Sequence, residues 1–356
     1  MRKKIIQLLK ATLAFLATII LFFLIFLIVL TCLDYKPEPI ENVENFGNNP
    51  TVSIVKDEFS ILTWNIGYAG LGEESDFFFD GGVGVRQSEE ITQKNEDGIS
   101  NFLVENDSID FFILQEVDKD SRRTYYKDQT QVFKEKLPNK TALFAVNYDS
   151  PFVPQPIGNP YGKCYAGIMS MSNYSSTLNQ RIALTPDASW PIGLFMLDRC
   201  LLESSYPLPN GKELVVINMH LSAYDDGTVK KEQMEKLKSI ILEQYAKGNY
   251  VIVGGDWNQY PPGYTIPVMK QKDAIAQIAV DKDFPEPGWN WGVDLLTPTN
   301  RKLETPFDPE KTDQIVIDFF LTSPNVEITS VKGIDLNFKY SDHQPVIMKF
   351  KLKDLL

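Results

Sequence analysis

Two histidines, His220 and His343, are the only ones in the 356-residue chain. His220 closes the apolar run VVINMH, and His343 sits in KYSDHQPVIM. Asp256 and Asn258 close VIVGGDWN between them, Asp318 lies inside IVIDFF, and Asp342 immediately precedes His343. Asn65 and Glu116 close ILTWN and FFILQE nearer the N-terminus. Imidazoles beside carboxylates can carry protons near neutral pH and stabilise negative charge. The hard oxygen donors Asn65, Glu116 and Asp342, with no cysteine nearby, favour Mg²⁺ or Mn²⁺ over zinc. A carboxylate-held divalent ion, two imidazoles and a further carboxylate are what water needs to attack a phosphate ester.

Each of these polar groups begins or ends a run that must be buried, so a sheet core would deliver them to one edge, where ligands of α/β proteins bind. FSILTWNI, DFFILQEV, TALFAVNY, YAGIMSMS, LFMLDRCLLESSYPL, ELVVINMHL, YVIVGGDW, QIVIDFFLTS and PVIMKFKL read as strands. Residues 89–105, 121–136 and 228–247 read as helices. The mixture predicts an α/β (α+β) body of one domain, residues 58–356, with interior sheets and outer helices. No internal repeat is visible.

Ala11 to Leu33 carries no charge and follows MRKK. About 20 apolar residues cross a bilayer, and the basic flank predicts a cytoplasmic N-terminus with the body outside. Residues 1–33 therefore read as a stub and single-pass cell-membrane anchor, and the Pro-, Asn- and acid-rich residues 34–57 as a linker. Cleavage of this segment, or lipidation at Cys32, is the alternative. Cys164 and Cys200 are either a disulfide or two buried thiols. The net charge is −12, and the four basic groups of residues 1–33 make the rest more acidic still. An acidic body disfavours nucleic acid as a partner without excluding it. Nothing in the sequence sets the oligomeric state.

WNIG, QEVD, NMHL, GGDWN, IDFFLTSP and SDHQPV, in this order, resemble the endonuclease/exonuclease/phosphatase superfamily of deoxyribonuclease I-like metal phosphoesterases. The resemblance covers about residues 58 to 352. It implies a four-layer sandwich, two mixed β-sheets packed face to face with helices outside. It also implies that Glu116, helped by Asn65, holds the divalent metal with Asp342 near it. Asp256 would orient or deprotonate the attacking water, and Asn258 would help fix it and the phosphate. His343, oriented by Asp318, would contact the phosphate or shuttle a proton, and His220 would stabilise the transition state. A histidine at 220, where apurinic-site endonucleases carry tyrosine, leans toward the deoxyribonuclease, sphingomyelinase and inositol-phosphatase branches.

The substrate expected is a phosphodiester or phosphomonoester, of phospholipid, sphingomyelin or inositol-phosphate type. An extracellular nuclease and an inactive binding protein of the same fold are the rivals. Segments 75–90 and 297–313 are long and would shape the pocket. Arg86, Arg122, Arg123 and Arg301 are candidate phosphate clamps, since a guanidinium grips phosphate through a planar fork. Trp190, Trp289 and Trp291 read as packing or loop residues. GGVGV lacks the lysine of a phosphate-binding loop.

Overall fold

A computed structural model describes residues 2–47, 56–223, 227–271 and 277–355. Residues 48–55 of the expected linker lie outside them. Helix α1 spans Arg2–Leu33 and is long and apolar enough to cross a membrane. Short strands β1 (Ile40–Asn42) and β2 (Glu44–Phe46) follow. Next come β3 (Phe59–Asn65), α2 (Glu89–Glu105), β4 (Phe111–Asp118), α3 (Gln129–Lys136), β5 (Thr141–Val153) and β6 (Gly162–Ser172). The middle of the chain holds β7 (Leu178–Ala183), β8 (Cys200–Pro207), β9 (Glu213–His220), α4 (Thr228–Ala246) and β10 (Tyr250–Asp256). It ends with β11 (Asn290–Gly292), β12 (Asn300–Arg301), β13 (Gln314–Ile315), β14 (Asp318–Thr322), β15 (Val326–Gly333) and β16 (Val346–Leu352).

Two seven-stranded sheets carry the body, in the orders β1-β7-β8-β9-β10-β14-β11 and β15-β16-β3-β4-β6-β5-β2. Both are mixed, since β9 runs parallel to β10 and β3 parallel to β4 among antiparallel neighbours. Their inner faces share one core, in which Phe59, Phe111, Val216, Ile252, Phe320 and Met348 meet. The outer face of the first sheet is covered by α4 through Leu237 and Ile241. That of the second is covered by Ile99 and Leu103 of α2 and Phe133 of α3. Helix–sheet–sheet–helix is the expected four-layer sandwich.

Local chemistry explains where the elements differ from expectation. The helix read over 121–136 starts only at Gln129, because Tyr125 and Tyr126 take left-handed conformations and Asp128 caps α3 through the amides of Thr130 and Gln131. The long run from Leu194 is a strand only from Cys200, after a 3₁₀ turn at Ile192–Phe195. Cys164 and Cys200 are both free, buried thiols in separate clusters. The stretch expected as a linker is partly structural: β1 pairs with β7 of one sheet and β2 with β5 of the other. Its polar, aperiodic sequence gave no strand signal, since the pairing is made by backbone groups.

Candidate active site

Strands β9, β10 and β14 lie side by side in register, His220 opposite Asp256 and Asp256 opposite Asp318. The three side chains therefore emerge in a row at one end of the first sheet. Gly255 permits this close approach: a Cβ there would stand 2.0 Å from the Met219 carbonyl oxygen, at a φ of +142°. Beyond β10, Asn258 takes a left-handed conformation, donates its N–H to Asp256 Oδ1 at 2.9 Å and its Nδ2 to the Leu221 carbonyl at 2.9 Å.

The second sheet supplies the other half. Asn65 ends β3 opposite Gln115. A bulge in β4 between Leu114 and Val117 then puts Glu116 at a φ of +55°. An extra residue in one strand re-aims a side chain, and here the Glu116 carboxylate meets Asn65 Nδ2 at 3.1 Å. The same Nδ2 reaches Asp256 Oδ2 at 3.0 Å, so Asn65 links the two sheets. The Asn65 Oδ1 accepts from the Gly67 amide at 3.0 Å. The turn 341–343 is pinned to this strand end: Ser341 Oγ donates to the Asn65 carbonyl, and the Trp64 indole donates to the His343 carbonyl at 3.0 Å.

His343 stands where the halves meet. Its Nδ1 is 2.8 Å from Asp318 Oδ2, and its Nε2 is 2.9 Å from Asn300 Nδ2 and 3.6 Å from Asp256 Oδ2. Burial opposes a charge on this ring, but Asp318, Asp256 and Asp342 outweigh it and hold the pKa well above the ordinary histidine value. His220 goes the other way. Its Nε2 lies 3.5 Å from Asp256 Oδ2, yet burial, together with Arg199 and the charge on His343, pushes its pKa well down. Its Nδ1 is buried with no partner among the described residues. The two imidazoles are thus pushed in opposite directions, the division of labour an acid–base site needs. Asp256 is raised to about 6 by burial and Asp318, against the pull of His343. Asp342 is raised to about 7 by burial, with His343 lowering it and Glu116 adding to the rise.

The donor set fits a divalent ion. Asp342 is buried and shares its surroundings with Glu116, so two carboxylates converge where a hard cation would satisfy both. Asn65 differs from expectation, since it turns Nδ2 rather than Oδ1 to Glu116 and so orients a ligand instead of serving as one. Asp256, Asp318 and His343 also bring donor atoms within 4.8 Å of one another. With Nδ1 of His343 bound to Asp318, that trio suits a proton relay better than an ion.

Six of the eight expected catalytic and metal positions line one cleft, with Asn65 and Asp318 bonded to them from behind; of the four expected arginines only Arg123 borders it. Arg301 is buried, donating to the carbonyls of Leu71, Gly72 and Ser75, which fixes the loop after β3. Arg123 borders the cleft, but its guanidinium is engaged by Asp118 and Tyr161 and lies over the Tyr68 ring. Arg122 donates to the Pro160 carbonyl at 2.6 Å, and Arg86 stacks on Tyr125. Trp289 and Trp291 pack in the core under α4, while Trp190 is exposed.

The structure adds Asn300, on the expected loop 297–313, and Arg199, just before β8. Arg199 lines the cleft with Nε 3.1 Å from Asp187 Oδ2 and a buried Nη1 lacking a partner among the described residues. Its only sequence signal is a lone basic residue inside LFMLDRCLLESS. Phe77 and Phe79, from the other long loop, join Tyr148, Phe195, Met196 and Leu197 in an apolar wall beside the polar residues.

The family model described as the Endonuclease/Exonuclease/phosphatase family matches residues 62–343. The chain belongs to the endonuclease/exonuclease/phosphatase family. Its members are divalent-metal-dependent hydrolases of phosphate ester bonds, and the chain is such a hydrolase. No curated protein matches it. Among solved structures, an endonuclease/exonuclease/phosphatase from Beutenbergia cavernae is similar at 18% identity and a TM-score of 0.54, covering 84% of this chain and 73% of that one. The catalytic domain of human Nocturnin with a bound sulfate anion matches at 15% and 0.52, covering 87% and 97%. ANGEL2, a 2',3'-cyclic phosphatase in complex with adenosine-2',3'-vanadate, matches at 15% and 0.54, covering 88% and 99%. At such identities the likeness is one of fold within the endonuclease/exonuclease/phosphatase family.

Proposed function

We propose that the chain is a membrane-anchored, Mg²⁺-dependent phosphoesterase with Mn²⁺ as an effective substitute, its body on the outer side of the cell membrane. Residues 1–33 form the anchor, 34–57 the connection, and 58–356 the catalytic body, to which β1 and β2 add. The reading rests on one observation: Asp256, Glu116, Asp342 and His343, the last held by Asp318, line a single cleft.

Glu116 and Asp342 would hold the ion, which when bound would neutralise the phosphoryl oxygens and favour attack at phosphorus. Asn65 keeps Glu116 in place and joins it to Asp256. Asp256 takes a proton from the water that attacks in line, with no covalent enzyme intermediate. Asn258 holds Asp256 through its backbone amide. His343, charged and steadied by Asp318, presents Nε2 to the phosphate or the departing oxygen. His220, neutral, offers one N–H to a phosphoryl oxygen as negative charge builds. Arg199 adds a fixed positive charge to the cleft. The apolar wall suits an ester whose alcohol carries a bulky apolar group, which favours phospholipid and sphingomyelin-type esters over nucleic acid.

The test is hydrolysis by the full-length protein, in detergent with Mg²⁺, of DNA, RNA, sphingomyelin, phosphoinositides and sugar phosphates. Cleavage of a lipid ester that EDTA abolishes supports the reading, and preferential, steeply salt-dependent DNA cleavage would favour a nuclease. No hydrolysis and no Mn²⁺ binding would leave an inactive binding protein.

A further inference from the structure

Residues 189–197, SWPIGLFML, carry no charge. They lie against the last turns of α1. The Trp190 indole donates to Thr31 Oγ1 at 3.0 Å, and Leu194 is buried with Leu27 and Leu30. Phe152 of β5 meets Phe26 of α1 edge-on at 6.2 Å. Yet Trp190 and Ile192 remain 62% and 61% exposed. An indole beside the end of an apolar span stands at the depth where hydrocarbon gives way to headgroups, which suits its amphipathic ring.

The same segment reaches the cleft. Phe195 packs on the Leu27–Leu30–Leu194 cluster and also lines the cleft wall with Met196 and Leu197. Tyr148 Oη and Ser150 Oγ donate to the carbonyls of Phe195 and Leu194, so the segment is fixed to β5.

Independently, the chain leaving α1 is no loose tether. β1 and β2 join one sheet each, and the buried Arg181 lies 3.5 Å from Glu41 Oε2 with its guanidinium over the Tyr35 ring. These contacts fix how the body sits on the helix.

We propose that Ser189–Leu197 is a membrane-docking segment that seats the cleft mouth on the bilayer holding α1, and that the substrate is a phosphate-ester lipid of that bilayer. This rests on the phosphoesterase reading above. In the reaction, water gives one proton to Asp256 as its oxygen bonds to phosphorus, and one P–O ester bond breaks. The ester oxygen leaves as an alcohol with a proton from His343; the second water proton stays on the phosphate product, whose ionisation, with that of Asp256, returns one proton to His343 and one to solvent.

The test reconstitutes the full chain into vesicles of phosphatidylcholine, phosphatidylglycerol and sphingomyelin with Mg²⁺. It compares lipid hydrolysis with that of soluble bis(4-nitrophenyl) phosphate. In a Trp190→Ser, Ile192→Ser double variant, vesicle hydrolysis falls about tenfold or more while soluble-ester hydrolysis stays within about twofold, because only bilayer contact is lost. Brominated phosphatidylcholine quenches the native fluorescence more than that of Trp190→Phe. Equal change on both substrates, no change on vesicles, or no difference in quenching overturns the proposal. Native protein that cleaves the soluble ester but no vesicle lipid overturns it alone. Native protein that cleaves neither removes the phosphoesterase reading as well.

Discussion

His343 Nδ1 lies 2.8 Å from Asp318 Oδ2, a carboxylate whose side chain is wholly buried. The contact fixes the ring so that Nε2 faces the cleft, and it sustains the positive charge. Asp318→Asn should lower kcat/KM by about 10²- to 10⁴-fold, the range of positioned acid–base catalysis. It should also move the alkaline limb of the pH profile to lower pH, because the folded-state pKa of His343 drops. An unmoved alkaline limb would reduce Asp318 to a packing residue.

Asp256 sets the acid limb. A base must be ionised to act, so activity should fall as pH drops through about 6, where burial and Asp318 have raised this group. Asp256→Asn should remove about 10²- to 10⁴-fold of turnover with an unchanged circular dichroism spectrum.

Ion binding should release a proton. Burial and Glu116 raise Asp342 to about 7, so a neutral-pH sample holds it partly protonated until a cation arrives. Affinity for Mn²⁺ should therefore weaken as pH falls below that value. Calorimetry in buffers of different ionisation enthalpy reads both effects. Asn65→Ala, which loosens Glu116, should weaken binding by about 10- to 100-fold.

Stability should discriminate among the arginines. Asp118 is fully buried and gripped by Arg123 through Nε and Nη2. Arg123→Ala strands that carboxylate and should cost about 3–5 kcal/mol, whereas Arg86→Ala on the surface should stay within about 0.5 kcal/mol. Thermal unfolding in detergent measures the two.

Much of the site was legible because an apolar run that stops at a polar residue must place that residue at a sheet edge. His220, Asp256, Glu116 and Asn65 are all of this kind. Arg199 and Asn300 gave no such signal, since each depends on where a loop returns in space. Charge at Arg86 and Arg301 misled for a related reason: type alone does not reveal that five backbone carbonyls engage both terminal nitrogens of Arg301. The strands β7 and β15 were missed because few of their positions are buried and those few do not alternate, so no period-two signal exists to read.

The two short strands after the helix bear on handling of the protein without that helix. Each occupies the border of a sheet, leaving β7 and β5 as interior neighbours. A chain severed just before residue 58 would bare the backbone of both, and unpaired strand borders recruit other chains. Size-exclusion chromatography should find that fragment self-associating, and a chain severed after Leu33, which keeps both short strands, less so. The segment between the helix and the body would thereby act as a guard against clumping.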